Sequence, residues 1–463
     1  MNAAIELKNL TVTYPGGQQI LNSCNFKLNY GQLAVMSGLS GEGKTTFLNA
    51  INGIIPHAVS ADIQGDVLVD GQSIIGVKMA QVARKVGSVL QNPDSQIFHS
   101  RVDDEIAFGC ENLNLPQEEI RRRVEETCAL LSLEPDAPTR TLSGGQKQRL
   151  MAACVLAMGQ KILLLDEPLA NLDLAGSKLL LSVLKDLCAK GYAVLLAEHR
   201  LDIVAPYADR LFSLEGKGVK EIGREEASYS NTRKIADTAA GTPLGEPLIT
   251  ASNLAYSVRR AEILRDISLS VRKGERIVLL GENGCGKTTL LRLLAGLIKP
   301  SAGTISASIP ARPGTRKWFR TVGYVYQEPS YQLFMPTVRE ELCHGAAEGW
   351  GERCLNDFGL MSLAERHPHS LSEGQKRRVS IAAVMATAAE LILLDEPTVG
   401  QDFDNLEHMV SVLNEIHMET GNSMITITHD PRCAEALADR AVWIQDGRVF
   451  REGGKEIIES YFS

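Results

Sequence analysis

Two segments of the chain combine glycines, a lysine and a threonine in the pattern G-x-x-x-x-G-K-T, at residues 38–45 and 281–288. The glycines let backbone N–H groups wrap a phosphate chain at the start of a helix. Lys44 and Lys287 place a positive charge beside the outer phosphates, and the threonine that follows each lysine offers a hydroxyl to Mg²⁺. The sequence therefore predicts two sites for a nucleoside triphosphate and its magnesium ion.

A pair of acidic residues ends each of two short apolar runs, as Asp166-Glu167 and as Asp395-Glu396. Continuous apolar runs of this kind are typical of parallel strands that are buried on both faces. An aspartate at the strand end can hold Mg²⁺ through water. The next glutamate points elsewhere because strand side chains alternate, and it can polarise an attacking water. These residues predict hydrolysis of the triphosphate; the alternative is that they only cap the helices that follow.

The two halves of the chain carry these residues in the same order and at similar spacing. Ser143 lies 23 residues before Asp166, and Ser372 lies 23 residues before Asp395. Matching order and spacing identify a duplicated domain. Apolar, β-prone residues run directly into each glycine-rich loop, and a helical pattern follows it, which is the context that the motif requires.

The length of 463 residues exceeds what one compact core usually holds, so two domains are expected. We place the first at residues 5–240 and the second at residues 248–463. A linker is expected at about residues 216–247, at the end of the first domain, because apolar periodicity is weak there.

The complete set of motifs resembles that of the ATP-binding cassette (ABC) ATPases over nearly the whole chain. The most specific element is Leu-Ser-Gly-Gly-Gln at residues 142–146, with Leu-Ser-Glu-Gly-Gln at residues 371–375. The resemblance implies an α/β P-loop NTPase fold in two tandem copies, each with a RecA-like core sheet, an antiparallel β-subdomain and an α-helical signature subdomain. It also implies a Mg²⁺-dependent ATPase whose cofactors are ATP and Mg²⁺.

The resemblance assigns roles to individual residues. Glu167 and Glu396 match the catalytic bases, and His199 and His429 match the switch histidines of the same catalytic set. The metal-binding set that it implies is Thr45, Gln91, Asp166, Thr288, Gln327 and Asp395. The implied ATP-binding set contains two tyrosines that match the position of an adenine-stacking ring, together with residues of the P-loops and of the signature sequences. Its members are Tyr14, Gly38, Leu39, Ser40, Gly41, Glu42, Gly43, Lys44, Thr45, Thr46, Ser143, Gly145, Gln146, Tyr256, Gly281, Glu282, Asn283, Gly284, Cys285, Gly286, Lys287, Thr288, Thr289, Ser372, Gly374 and Gln375. Asp173 and Asp402 match the D-loops.

In this family two ATPase domains pair head to tail, so the resemblance implies an intramolecular pairing of the two halves. Each P-loop then receives the signature residues of the other half. Glu373 replaces a signature glycine in the second half. A carboxylate that faced the phosphates would weaken ATP binding at the first site, whereas one that faced solvent would change little.

The surroundings of the two Q-loop glutamines narrow the resemblance. Residues 91–98 and 327–334 share Q-x-P-x-x-Q-x-F. This is similar to the paired ATPases of energy-coupling factor (ECF) transporters, which import vitamins and metal ions. Those ATPases grip a membrane T component, and a separate S component captures the substrate. Phe98 and Phe334 could line the gripping groove, or they could be ordinary core residues. The resemblance therefore implies that a separate chain, and not this one, selects the substrate.

Two other functions compete with an ECF-type importer: a tandem sugar-importer ATPase, and a soluble tandem cassette protein that acts on ribosomes or DNA. The net charge of −8 argues against a nucleic-acid partner. Nine cysteines without a C-x-x-C pair indicate a reducing compartment. The N-terminus has no signal-peptide pattern and no apolar run reaches about 18 residues, so we expect a cytosolic chain that does not span a membrane. The resemblance to ECF ATPases implies a peripheral position at the cytoplasmic face of the cell membrane.

Overall fold

The computed structural model describes residues 3–39, 41–226, 234–239, 241, 243–258, 261–308 and 311–463. The chain divides into two compact units, Met1–Arg233 and Lys234–Ser463. The strands of unit 1 are β1 Ala3–Tyr14, β2 Gln18–Asn29, β3 Leu33–Ser37, β4 Asp62–Val69, β5 Gln72–Ser73, β6 Val86–Val89, β7 Ile162–Asp166, β8 Ala193–Ala197, β9 Arg210–Glu215 and β10 Gly218–Ile222. Its helices are α1 Lys44–Ile51, α2 Ile54–His57, α3 Met79–Val82, α4 Val102–Asn112, α5 Gln117–Leu130, α6 Gly144–Met158, α7 Leu174–Ala189 and α8 Leu201–Val204.

Unit 2 repeats this series. Its strands are β11 Pro247–Val258, β12 Ala261–Arg272, β13 Arg276–Leu280, β14 Ala302–Ala307, β15 Val322–Val325, β16 Leu391–Asp395, β17 Ser423–Ile427, β18 Arg440–Gln445 and β19 Arg448–Gly453. Its helices are α9 Lys287–Leu294, α10 Arg316–Thr321, α11 Val338–Cys343, α12 Trp350–Asp357, α13 Glu373–Met385, α14 Phe403–Thr420, α15 Pro431–Leu437 and α16 Lys455–Phe462. Short 3₁₀ turns lie at Pro93–Ser95, Thr139–Thr141, Pro329–Tyr331, Met361–Leu363 and Pro368–Ser370.

The core of each unit is a six-stranded sheet, in the order β10-β9-β3-β8-β7-β6 and β15-β16-β17-β13-β18-β19. The strands pair in parallel except for the hairpins β9-β10 and β18-β19. Every residue of β3, β7 and β8 is buried, as the continuous apolar runs predict. Parallel strands end at one edge, so this topology brings the P-loop and the acidic pair together.

A second, antiparallel sheet packs beside each core, in the order β2-β1-β4-β5 and β12-β11-β14. Helices α4, α5 and α6 form a helical layer in unit 1, and α11, α12 and α13 form the equivalent layer in unit 2. In each unit the apolar side chains of this layer pack with those of the core sheet in one hydrophobic cluster. The predicted fold class, with a core sheet, an antiparallel subdomain and a helical subdomain in two copies, is confirmed.

The segment that the sequence assigns to a linker contains ordered structure. Strand β10 is the edge strand of the unit 1 core sheet. Further along, Ile235 is buried, and Asp237 forms an ion pair with the buried Arg276 at 2.8 Å and one with Lys455 at 3.0 Å. Residues 234–239 therefore pack as part of unit 2, whereas residues 227–233, 240 and 242 lie outside the described residues.

Candidate functional site

The P-loop of unit 1 connects β3 to α1 and forms a narrow backbone cradle. Gly43 has a φ of 106°, and a Cβ atom at this position would meet Ile20 Cγ2 at 2.5 Å. The Lys44 ammonium donates hydrogen bonds to the carbonyl oxygens of Gly38 at 2.8 Å and Leu39 at 3.0 Å. The left-handed backbone and the close contact explain why only glycine fits at position 43. The lysine lies over the loop that a phosphate chain would enter. Ser40 lies outside the described residues.

The P-loop of unit 2 repeats this geometry between β13 and α9. Gly286 has a φ of 105°, and a Cβ there would meet Leu264 Cδ2 at 2.5 Å. The Lys287 ammonium donates to the carbonyl oxygens of Gly281 at 2.6 Å and Glu282 at 2.9 Å. Two copies of one cradle thus form from two sequences that differ at most of the variable positions.

The residues proposed to hold Mg²⁺ meet at the strand ends. In unit 1 the Thr45 hydroxyl donates to Asp166 Oδ2 at 2.7 Å, and the buried Asp166 Oδ1 has no hydrogen-bond partner within the described residues. Burial raises the pKa of Asp166 to about 6. A hydroxyl beside a carboxylate with an unused buried oxygen is a donor set that Mg²⁺ prefers, so these residues fit the ion. When bound, Mg²⁺ would neutralise charge that develops on the transferred phosphate.

The equivalent aspartate in unit 2 has two partners. The Thr288 hydroxyl donates to Asp395 Oδ1 at 3.1 Å, and the Tyr324 hydroxyl donates to Oδ2 at 2.9 Å. Burial, followed by the charge of Glu396, raises the pKa of Asp395 to about 6. Burial also raises the pKa of Tyr324, which keeps its hydroxyl protonated as a donor. The role of Tyr324 is not predictable from the sequence, because nothing in its type or spacing distinguishes it from a packing residue.

The proposed general base of unit 1 is held in an unusual backbone conformation. Glu167 has a φ of 49°, a region that non-glycine residues rarely occupy and that is found at functional sites. Gln91 Nε2 lies 2.9 Å from Glu167 Oε2, and His199 Nε2 lies 2.8 Å from Oε1. Burial opposes ionisation, but the hydrogen bond and charge of His199 hold the pKa of Glu167 below its usual range. An ionised, oriented carboxylate is what a general base requires.

Unit 2 places the same three residue types together. Glu396 has a φ of 52°. Gln327 Nε2 donates to Glu396 Oε2 at 3.1 Å, and His429 Nε2 lies 3.6 Å from Oε1. Burial opposes ionisation here too, but His429 holds the pKa of Glu396 below its usual range. The two glutamines assigned to the metal set thus contact the glutamates directly.

The signature sequences begin helices α6 and α13 through the same cap. The Ser143 hydroxyl accepts from the Gln146 backbone N–H, and the Gln146 side chain accepts from the Ser143 N–H at 2.9 Å. Ser372 and Gln375 repeat this reciprocal pair. Such a capping box fixes the helix start and leaves the serine side chains exposed on the surface. The serine and glutamine of the motif therefore have a local structural role besides the proposed phosphate contact.

The remaining predicted residues occupy positions next to these groups. The Tyr14 hydroxyl lies 3.1 Å from that of Thr46 on the P-loop helix, and Tyr256 packs half-buried against the core of unit 2. Asp173 and Asp402 cap α7 and α14 by accepting backbone N–H groups at 2.7 and 2.8 Å. Adenine stacking by the two tyrosines stays a proposal.

The motif Q-x-P-x-x-Q-x-F shapes the segment after each Q-loop glutamine. The second glutamine of the motif closes the loop, because Gln96 Oε1 accepts from the Leu90 N–H at 2.9 Å and Gln332 Oε1 from the Tyr326 N–H at 2.8 Å. The proline starts a 3₁₀ turn in both units. The phenylalanine then points outwards.

Phe98 is 74 % exposed and Phe334 is 75 % exposed, so the alternative that they are core residues is wrong. A buried glutamate holds each loop in this position. Glu105 Oε2 accepts the backbone N–H groups of Phe98 at 2.9 Å and His99 at 2.6 Å, and Glu341 Oε2 accepts the two equivalent groups at 2.7 Å each. These glutamates were missed, although each lies seven residues after its phenylalanine in both halves.

No group of three His, Cys, Asp or Glu side chains in the described ranges is arranged to hold a metal ion. Among the described helices, none combines the length and the apolar character needed to cross a bilayer.

The family model described as ABC transporter matches residues 21–170 and 264–399, which include both P-loops and both acidic pairs. The chain belongs to the ABC transporter family. Membership implies that this ABC protein binds and hydrolyses ATP and uses Mg²⁺.

Similar proteins match this ABC protein over nearly its whole length. A "Putative ABC transporter ATP-binding protein" of Treponema denticola is 33 % identical and covers 96 % of both chains. The "Putative HMP/thiamine import ATP-binding protein YkoD" of Bacillus subtilis is 31 % identical over 97 % of this chain and 91 % of its own. A solved structure described as a model of ribosome-bound archaeal Pelota and ABCE1 has a TM-score of 0.76 at 20 % identity, and covers 98 % of this chain and 80 % of that chain. This likeness shows the tandem fold alone.

Proposed function

We propose that the chain is the ATP-hydrolysing subunit of an ECF-type importer and powers uptake of a small solute, such as a vitamin or a metal ion, through separate T and S membrane components. It would act as a peripheral protein at the cytoplasmic face of the membrane. The Bacillus subtilis relative, whose name describes an import ATP-binding protein, supports import. In this proposal Glu167 and Glu396 are the general bases, and the two ATPase halves act as a pair.

The observation that carries the proposal is the matched pair of exposed phenylalanines beside the Q-loops. Phe98 and Phe334 occupy equivalent positions and are about three-quarters exposed. A buried carboxylate holds each loop through two backbone N–H groups. An exposed aromatic side chain on a loop whose backbone is held by a buried carboxylate is typical of a binding surface. Because the loop also carries the glutamine that contacts the proposed base, a partner here would sense the nucleotide site.

A soluble role on ribosomes or DNA is the competing hypothesis. The acidic net charge of −8 disfavours a surface that binds nucleic acid backbones. The likeness to a ribosome-bound factor concerns the fold, which many functions share. The two hypotheses predict different partners, so identification of the partner decides between them.

The test is purification of the tagged full-length chain from detergent-solubilised membranes of its native host, with partners identified by mass spectrometry. We expect a multispanning membrane protein together with a small hydrophobic membrane protein. Replacing Phe98 and Phe334 together by Ala should reduce their recovery at least tenfold. Phe450→Ala is the matched control, because Phe450 is 50 % exposed and lies on β19, at the edge of the unit 2 core sheet opposite to β15, which leads into the Q-loop. Recovery of ribosomal proteins alone, or membrane partners that are unaffected by the double substitution, would overturn the proposal.

A further inference from the structure

The two copies of the nucleotide site differ in how the proposed Mg²⁺ aspartate is held. In unit 1, Asp166 Oδ2 accepts from Thr45, and the buried Oδ1 has no hydrogen-bond partner within the described part of the chain. In unit 2, Asp395 accepts from Thr288 on one oxygen and from Tyr324 on the other. The P-loop lysine contacts and the contact between the Q-loop glutamine and the proposed base are repeated in both units, so this difference does not come from a general distortion of one site.

The residue responsible is a substitution at one position of the core sheet. Tyr324 pairs with Leu393, two residues before Asp395, and Ser88 pairs with Leu164, two residues before Asp166. The two positions are therefore equivalent in register. A serine side chain is too short to reach the aspartate as the phenol does, and the Ser88 hydroxyl instead lies 3.3 Å from Asn52 Nδ2.

The surroundings of Tyr324 fix its hydroxyl in place. Its ring packs edge-on against Tyr326 with ring centroids 4.7 Å apart. Arg292, on the P-loop helix, lies near enough for its charge to favour the ionised form of Asp395. The equivalent residue in unit 1, five positions after the P-loop lysine, is Asn49. Unit 2 thus places a phenol donor and an arginine beside its aspartate where unit 1 has Ser88 and Asn49, whereas the cations that act on Asp166 are Lys44 and His199.

We propose that Tyr324 is a positioning residue for the Mg²⁺ site of unit 2, and that the two nucleotide sites therefore depend on Mg²⁺ to different extents. A carboxylate with one oxygen tied to a phenol cannot rotate freely, so Asp395 Oδ1 stays beside the Thr288 hydroxyl. Asp166 has only the threonine to orient it among the described residues. Orientation before binding lowers the entropy lost when the ion is captured. The inference rests on the assignment of Asp395 and Asp166 to Mg²⁺.

The test measures how strongly Mg²⁺ and nucleotide binding are coupled. The full-length chain with Lys44→Ala reports on unit 2, because the substitution removes the P-loop lysine of unit 1. The dissociation constant of a fluorescent, non-hydrolysable ATP analogue is measured in Mg²⁺ and in EDTA. The constant in EDTA divided by the constant in Mg²⁺ is the ratio that measures the coupling. Tyr324→Phe should lower this ratio about tenfold, as expected for loss of a hydrogen bond to a charged group. The constant in EDTA should stay within about twofold.

Three further variants separate the possible outcomes. Tyr324→Ser copies the residue of unit 1 and should give the same loss, which guards against an effect of the phenylalanine itself. Ser88→Ala in a chain with Lys287→Ala should leave the ratio of unit 1 within about twofold. Asp395→Asn should remove most of the coupling. If Asp395→Asn leaves the ratio unchanged, the metal assignment is wrong and the proposal fails with it. If Asp395→Asn lowers the ratio but both Tyr324 variants keep it, only the positioning role is overturned.

Discussion

Replacing Glu167 by Gln removes a negative charge and a proton acceptor while it keeps the shape of the side chain. Gln91 and His199, at 2.9 and 2.8 Å, contact the two carboxylate oxygens and hold them in place. The substitution removes the ionised carboxylate, and the amide keeps one oxygen that can accept from Gln91. General-base catalysis contributes about 10²-fold to 10⁴-fold, so the hydrolysis rate at this site should fall at least about 10²-fold, or by about 2.7 kcal/mol of transition-state stabilisation. Glu396→Gln should have the same effect at the second site.

Nucleotide binding should survive this change. The P-loop cradle, the Lys44 ammonium and the contact between Thr45 and Asp166 do not involve Glu167. The dissociation constant for ATP should therefore stay within about threefold. Single-turnover hydrolysis measures the chemical step, and titration with a fluorescent nucleotide measures binding, so the two effects are separated.

The chain offers a matched control in Glu198, a second buried carboxylate in the same unit. Glu198 accepts the backbone N–H of Leu169 at 2.8 Å, and burial raises its pKa to about 7. Since a raised pKa leaves a substantial fraction of this side chain protonated at neutral pH, and an amide keeps an oxygen for the Leu169 N–H, Glu198→Gln should change hydrolysis by less than about threefold. Equal losses for Glu167→Gln and Glu198→Gln would show that general damage to the unit explains the effect. Unchanged hydrolysis in both Glu167→Gln and Glu396→Gln would refute the assignment of the bases.

Three more outcomes follow from the structure. Lys44→Ala should weaken nucleotide binding itself at least about tenfold, in contrast to Glu167→Gln, and fluorescent-nucleotide titration shows the difference. Glu373→Gly should change ATP affinity by less than about tenfold, because Lys376 Nζ lies 2.8 Å from the Glu373 carboxylate and offsets its charge. Superimposable nucleotide titration curves for the variant and the unmodified chain agree with this expectation, and a tenfold tightening contradicts it. Asp237→Asn should destabilise unit 2 by about 1–3 kcal/mol near pH 7 in urea unfolding, since it removes one partner of the buried Arg276. Although burial opposes its ionisation, Arg276 lowers the pKa of Asp237 below its unfolded value. The stabilisation by this ion pair is therefore present above about pH 4 and is lost as the pH falls further. A loss of unfolding free energy in Asp237→Asn that does not change with pH would contradict the ion pair.

The parts of this protein that the sequence determined are contiguous motifs with a local physical basis. A G-x-x-x-x-G-K-T loop needs glycines for its positive φ values, and both copies adopt them. The apolar runs before Asp166 and Asp395 became buried parallel strands, and each signature sequence became a capped helix start. Such features depend on residues within a few positions of one another. The repeat is therefore recognisable from the order and spacing of its residues alone.

Tertiary structure decided the contacts between residues that lie far apart in the chain. The partner of Asp395, Tyr324, is 71 residues away, and that of Asp237, Arg276, is 39 residues away. Neither pair has a sequence pattern, because strand order and register bring the side chains together. The exposure of Phe98 was likewise undecidable from its type, since an aromatic residue packs equally well in a core. The buried Glu105 and its two backbone donors exist only once the Q-loop segment has folded against α4, and they turn the phenylalanine outwards.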